Sequence, residues 1–481
     1  MSNNEAKYDP PQTLEQWTRV LCEQEMPIFS NTAQDIYRSL DDKNKGAMEL
    51  SSIILQDPNL TTKLLRVSNS TYYNPSNQKM STVSRAIVIL GSKVIRELTV
   101  ACSFFEAIIS PDNKKRANKE IGRAIHAAVQ AKEIAIACND SSPEEVFIAT
   151  LLNNIGSIAF WCFGGKQCKY ITELIQSGNF SPEQAEIHVL GFSLDKLGKC
   201  LSATWQLGGL IEETILNPSS PNSRVQMVQL GKEITHAIDE GWDSGEMKDC
   251  LNKLESLSGE SQVKIKLNLK KNTASAVKIA CKFGALDASQ FIQTDTAHNV
   301  TILSSDDEPL DPKQIQFNIL QDITSHMSGS ININLLLEMV VEGIHRGIGM
   351  DRTLFSLLSS NKKTLNEKLS LGWRKDINEG KIKLDVSGLP INLFLKALQS
   401  PDGVWANPDT DNFLYTPQII NHIGKNECFV IPVQAENKPI GLIYTDRSIN
   451  KKPLTEDDFK TAKYFTQQAI IGLALYKIKK Q

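Results

Sequence analysis

Long apolar runs are missing from this sequence. Runs such as Ala469–Leu475 hold seven residues, whereas a helix needs about 20 to cross a bilayer, so no membrane span is expected. An excess of charge of one sign is missing as well: 52 Lys and Arg stand against 55 Asp and Glu, a formal net charge of −3. Dedicated nucleic-acid binders and proteins of anionic membrane surfaces carry a basic surplus, so neither partner is expected. Paired cysteines are absent too. The nine lie singly at 22, 102, 138, 162, 168, 200, 250, 281 and 428, with no Cys-x-x-Cys. An odd, scattered set points to reduced thiols in a cytoplasmic protein and supports neither a disulfide framework nor a zinc site. Residues 1–12 are polar and acidic, without the basic and then apolar segments of a secretory signal.

What is present reads as an ordinary globular chain. Hydrophobic residues make up 41% and charged residues 22% of 481 positions, which excludes a collagen, a coiled-coil rod or wholesale disorder and suggests about two or three domains. From Leu14 to about Gly284 the apolar spacing is helical. Asp57-Pro58 reads as an N-cap followed by proline in the first turn. Gly91 interrupts the pattern of 83–100 as a packing point or a helix boundary. Further helices are expected over Ile121–Cys138, Pro143–Trp161, Lys166–Ser177, Pro182–Leu207 and Val225–Glu240. Three parts result: an all-α part over 14–290, an acidic linker over 291–312, and an α+β part over 313–481 with an antiparallel sheet. In the last, helices near Gln314–Met327 and Ile333–Gly347 precede a strand at Arg352–Leu358. Cys428–Val433 and Pro439–Thr445 flank a short turn as a hairpin. A closing helix starts at Thr455 with Asp458 completing a capping box. The lysine-rich stretch 264–282 has no interleaved aromatics before Phe283 and reads as a solvated helix face, with an RNA- or lipid-contacting helix as the alternative.

The N-terminal part resembles the HDOD domain family. The strings that carry the resemblance are Met26-Pro27-Ile28-Phe29, Asp57-Pro58-Asn59-Leu60-Thr61, Val67-Ser68-Asn69-Ser70 and Ser84-Arg85-Ala86-Ile87, followed by Ala149–Gly156 and Ala203–Leu207. The resemblance spans about 14–239 and implies an all-helical fold akin to the HD phosphohydrolases. In those enzymes, converging His and Asp ligands hold metals that generate a hydroxide. This sequence departs from that pattern at the ligand positions. Asn153-Asn154 replaces the His-Asp pair, Ser193-Leu194 a later Asp-His pair, and Leu216-Asn217 a further His pair. Carboxamides are neutral and do not replace a carboxylate's charge. His126 falls near another family histidine slot, which Arg123 could equally occupy; His188 and His236 are isolated. No metal, no cofactor and no catalytic residue are therefore expected.

The C-terminal part, over about 318–476, is similar to GAF domains through Gly349-Met350-Asp351-Arg352, Leu371-Gly372-Trp373, Ile431-Pro432-Val433 and Gly441–Arg447. The resemblance implies either a small-ligand pocket, with Trp373, Trp405 and Tyr415 as its candidates and the ligand unknown, or a closed fold that only dimerises. Together the resemblances imply a non-catalytic bacterial signalling protein. The helical half would be a platform for a signalling partner protein, a homodimer would form through the GAF-like half, and the acidic linker would carry a ligand-driven change between them. A divergent metal-dependent phosphohydrolase and a nucleic-acid-associated regulator are the alternatives.

Overall fold

The structure, a computed structural model, describes residues 11–38, 46–70, 72–74, 80–108, 115–207, 209–292, 311–328, 331–373, 382–388, 391–436 and 438–480. Most of the expected acidic linker, 293–310, lies outside these residues. The helical part begins with α1 (Leu14–Val20), α2 (Pro27–Arg38), α3 (Gly46–Ile54), α4 (Pro58–Ser68), α5 (Val83–Leu90) and α6 (Ser92–Ile108). It continues with α7 (Lys115–Ala137), α8 (Pro143–Asn153), α9 (Ile155–Phe163), α10 (Gly165–Gln176), α11 (Pro182–Leu190) and α12 (Leu194–Thr204). The helices α13 (Gly209–Leu216), α14 (Ser223–Glu240), α15 (Gly245–Ser258), α16 (Gln262–Lys282) and α17 (Leu286–Ser289) complete it.

Local chemistry sets several of these boundaries. Asp57 Oδ1 accepts from the Asn59 and Leu60 amides at 2.9 and 3.1 Å, so α4 starts at Pro58 as the dipeptide predicts. Gly91 adopts φ +87° and separates α5 from α6, which makes it a helix boundary. Two expected helices are each divided. The run Pro143–Trp161 breaks at Asn154, whose φ −97° and ψ 27° leave the helical region, and the two halves are bent by 43°. Pro182–Leu207 breaks at Gly191, which caps α11 at φ +79°, and restarts at the N-cap Ser193. Periodicity alone does not show the first break, because α8 and α9 are buried along nearly their whole lengths and present no single apolar face whose phase could shift.

The described residues form two compact units, one drawn from 1–46, 62–77 and 90–302 and the other from 47–61, 78–89 and 303–481. In the first, α7 is the central helix, packed on α8, α14 and α16. Phe29 lies edge-on to Trp205 at 4.7 Å and to Phe104 at 5.5 Å, and all three are fully buried.

The second unit contains α18 (Pro312–Ser328) and α19 (Ile333–Glu342), then strands β1 (Arg352–Leu358), β2 (Thr364–Leu371) and β3 (Lys383–Asp385). It goes on through α20 (Leu393–Gln399), β4 (Val404–Ala406), α21 (Pro417–Ile423), β5 (Cys428–Ala435), β6 (Lys438–Asp446) and α22 (Glu456–Lys480). The six strands form one antiparallel sheet in the order β3-β2-β1-β6-β5-β4. The expected hairpin is β5–β6, whose pairing runs on to Ala435 opposite Lys438. The capping box of α22 is formed: Thr455 Oγ1 accepts from the Asp458 amide at 3.2 Å, and Asp458 Oδ2 accepts from the Thr455 amide at 2.9 Å. Among the described residues no single helix is long and apolar enough to cross a membrane.

Candidate functional site

Asn153, Asn154 and Leu194 come together at the breaks in the two long helices. Asn153 ends α8, Asn154 is the junction to α9, and Ser193 caps the start of α12. Gly156 allows α9 to lie directly against α12: a Cβ there would sit 2.2 Å from the Leu194 carbonyl oxygen and 2.5 Å from the Gly198 nitrogen. Gly156→Ala is therefore expected to force these helices apart and to lower stability by about 1–3 kcal/mol, read as a reduced urea midpoint. An unchanged midpoint would mean that the contact relaxes freely.

At this crossing lies a cavity of about 60 Å³, room for about four water molecules. Asn153, Asn154 and Leu194 line it, together with Asp195, Thr214 and Lys232. The Lys232 ammonium donates to Asn153 Oδ1, and Asn153 Nδ2 donates to the Thr214 carbonyl at 3.3 Å. Burial pulls the Lys232 pKa down, and the nearby Asp195 carboxylate pulls it back up. Asp195 is the single carboxylate in the cavity lining. Of the remaining altered positions, Ser193 is buried beside the site. Leu216 and Asn217 are exposed at the end of α13 and do not line the cavity, although their neighbours Thr214, Ile215 and Pro218 do.

Sequence reasoning passed over Lys232 and Asp195. A signal for Lys232 exists: Val225, Val228, Lys232 and Thr235 share one face of α14, and the other three are buried. A lysine on that stripe has to meet a partner inside the fold.

The histidines do not join the site. His126, 2% exposed, lies with Nε2 2.9 Å from Thr273 Oγ1 and 3.1 Å from Gln130 Nε2. Burial pushes its pKa down to about 4, so it is a neutral, hydrogen-bonded core residue. The His188 ring lies 5.3 Å from that of Phe180, tilted by 46°, and the exposed His236 has Nδ1 4.0 Å from Glu240 and 3.9 Å from Glu246. Among the described residues no three His, Cys, Asp or Glu side chains converge to hold a metal ion. The residues at this cavity do not fit the metal centre of the HD phosphohydrolases, because its ligand positions hold carboxamides and a fixed ammonium stands among them.

Within the second unit, the three pocket candidates separate. Tyr415 is buried in the core on one face of the sheet, its hydroxyl donating to the Asn426 carbonyl at 2.7 Å, and Trp373 packs against the same core. Trp405 lies on the opposite face, because β4 alternates and turns Val404 and Ala406 into that core. Its ring meets Phe429 at 5.4 Å and Phe459 of α22 at 6.1 Å. Lysines of the 264–282 stretch have partners: Lys264 pairs with Glu260, Lys266 with Asp243 at 2.9 Å, and Lys270 lies over the Trp242 ring at 5.1 Å.

Comparison with known proteins places the site in a family context. The family model of the HDOD domain matches residues 26–221, and this stretch is an HDOD domain. A curated relative, an uncharacterized protein of Treponema pallidum (strain Nichols), is 21% identical over 192 residues, 40% of this chain and 37% of the relative. The chain thus spans little more than a third of that relative's length. Among solved structures, an HDOD domain protein with unknown function from Geobacter sulfurreducens is 22% identical with a TM-score of 0.44, over 57% of this chain and 99% of its own. The GAF domain of an Acinetobacter phosphoenolpyruvate-protein phosphotransferase is 17% identical with a TM-score of 0.27, over 33% of this chain and 93% of its own.

Proposed function

We propose that this chain is a non-catalytic, cytoplasmic bacterial signal-transduction protein. The HDOD domain offers a helical platform to a partner protein, and the C-terminal unit is a GAF-like module that senses a small ligand or pairs with a second copy. The observation that carries this reading is Lys232. Its ammonium, bonded to Asn153, occupies the cavity where a hydrolase of this fold requires His and Asp ligands. A fixed positive charge opposes a divalent ion, and one facing carboxylate does no more than balance the lysine. The GAF-like reading is supported by the sequence resemblance over 318–476 and by the antiparallel sheet with flanking helices that this segment forms. Signalling then follows from a ligand or partner that prefers one arrangement of the protein and shifts its population.

Native mass spectrometry of the full-length protein, with hydrolysis assays on generic phosphomonoesters and phosphodiesters, tests the reading. The expected result is a chain without stoichiometric metal that leaves both substrates intact. One or two tightly held divalent ions per chain, accompanied by hydrolysis, would overturn it.

A further inference from the structure

The HDOD stretch contributes two segments, 47–61 and 78–89, to the second unit. The second of these carries α5, whose N-terminus is held in an unusual way. Thr82 provides the local cap, its Oγ1 accepting from the Arg85 amide at 3.2 Å. The preceding amides are taken by a residue 259 positions along the chain from Val83: Glu342, fully buried at the end of α19. Its Oε1 accepts from the Val83 amide at 3.0 Å, and its Oε2 lies 3.5 Å from the Ser84 amide nitrogen and hydroxyl.

Two arginines and a second acid complete the clamp. Arg346 Nη1 donates to Glu342 Oε1 at 2.6 Å and to the Ser81 carbonyl at 3.0 Å. Asp322 of α18 accepts from the Ser81 amide at 2.7 Å, and Arg85 Nη1 donates to the Asp322 carbonyl at 3.2 Å.

An α-helix of eight residues does not persist in water by itself, and a carboxylate at its N-terminus satisfies open amides while opposing the helix dipole's positive end. After α5, Gly91 alone precedes α6, whose residues from Leu98 to Phe105 are buried in the first unit.

We infer that Glu342 is a conformational latch: its carboxylate holds α5 within the second unit, and a change in α18–α19 that loosens this hold is passed along the chain through Gly91 to α6 of the HDOD domain. The inference rests on the signalling reading for its purpose, though not for its measurement.

Hydrogen exchange of the unliganded full-length protein, wild type against Glu342→Gln, tests the latch. Exchange of amides 83–86 is expected to rise about tenfold on loss of the charge-assisted bonds, with a severalfold rise over 93–100 and unchanged protection in β5–β6. A rise confined to 83–86, or none at all, would overturn the inference. Should β5–β6 lose protection, Arg85→Met takes over as the milder variant, with the same pattern expected at lower amplitude; normal exchange over 93–100 there would also overturn it. Discovery of bound metal and hydrolysis would remove the signalling reading and leave this measurement standing.

Discussion

Replacing Asp446 with alanine is expected to lower the stability of the second unit by about 3–5 kcal/mol, the range for breaking a buried ion pair from one side. Asp446 is fully buried at the end of β6, opposite Arg352 at the start of β1. Arg352 Nε reaches its two carboxylate oxygens at 3.1 and 3.2 Å, and Arg352 Nη2 and the Tyr444 hydroxyl also donate to it. The same guanidinium donates to the Ile423 carbonyl at 2.5 Å and lies over the Trp373 ring at 5.0 Å. Removing the acid leaves a largely buried guanidinium without its counter-charge, and the Tyr444 hydroxyl loses its acceptor. The double variant Arg352→Met/Asp446→Leu removes both charges and is expected to be more stable than Asp446→Ala. Urea unfolding of the three proteins measures the difference. A loss below about 1 kcal/mol in Asp446→Ala, the value of an exposed pair, would show that water reaches this site.

Glu97→Gln is expected to stabilise the protein above pH 8 and to flatten its pH–stability curve. Burial in α6 pushes the Glu97 carboxyl up from 4.5 to about 8; Lys93 and Arg96 oppose the shift, and Glu145 and Glu144 add to it. Its Oε2 is buried without a hydrogen-bond partner. The neighbourhood is already crowded with charge. Lys132, 3% exposed, lies 4.0 and 4.1 Å from the Tyr72 and Tyr73 rings and 3.4 Å from Glu144 Oε1. The folded chain therefore holds a proton on Glu97 that the unfolded chain releases near pH 4.5. The contribution of the protonated form is complete below that pH and is lost as pH rises through about 8, a fall of about 4 kcal/mol across the window. Glu338, raised to about 7 by burial and by the Glu342 charge, adds a smaller fall of the same sign. Chemical denaturation of wild type and Glu97→Gln at pH 5, 7 and 8.5 reads the effect. Parallel curves for the two proteins would mean that Glu97 is ionised in the folded state.

Much of the secondary structure was legible from local chemistry. The start of α4 at Asp57-Pro58, the strand Arg352–Leu358, the β5–β6 hairpin and the capping box at Thr455 all depend on residues within a few positions of each other. The breaks at Asn154 and Gly191 were not legible, since α8 and α9 are buried nearly all round and α11 buries only Ala185 and Leu190, so no apolar stripe marks where one helix ends and the next begins. Trp405 and Tyr415 are grouped by the GAF resemblance, which implies a pocket along the segment that holds both; strand alternation, which turns Trp405 to the α22 side, acts only once β4 is paired with β5.

By itself the sequence determined that the first part is helical, that a sheet lies in the second, and that the ligand positions of a hydrolase had changed. The first two are properties of residue identity and of short-range spacing; the third is what the resemblance to the HD phosphohydrolases implies. Only the tertiary structure decided that Lys232 meets Asn153 across 79 positions, that 47–61 and 78–89 of the HDOD stretch belong to the second unit, and that Glu342 caps α5. Each of these joins groups far apart in the chain, whose pairing depends on how buried polar atoms find partners when helices pack, and periodicity carries no record of that choice.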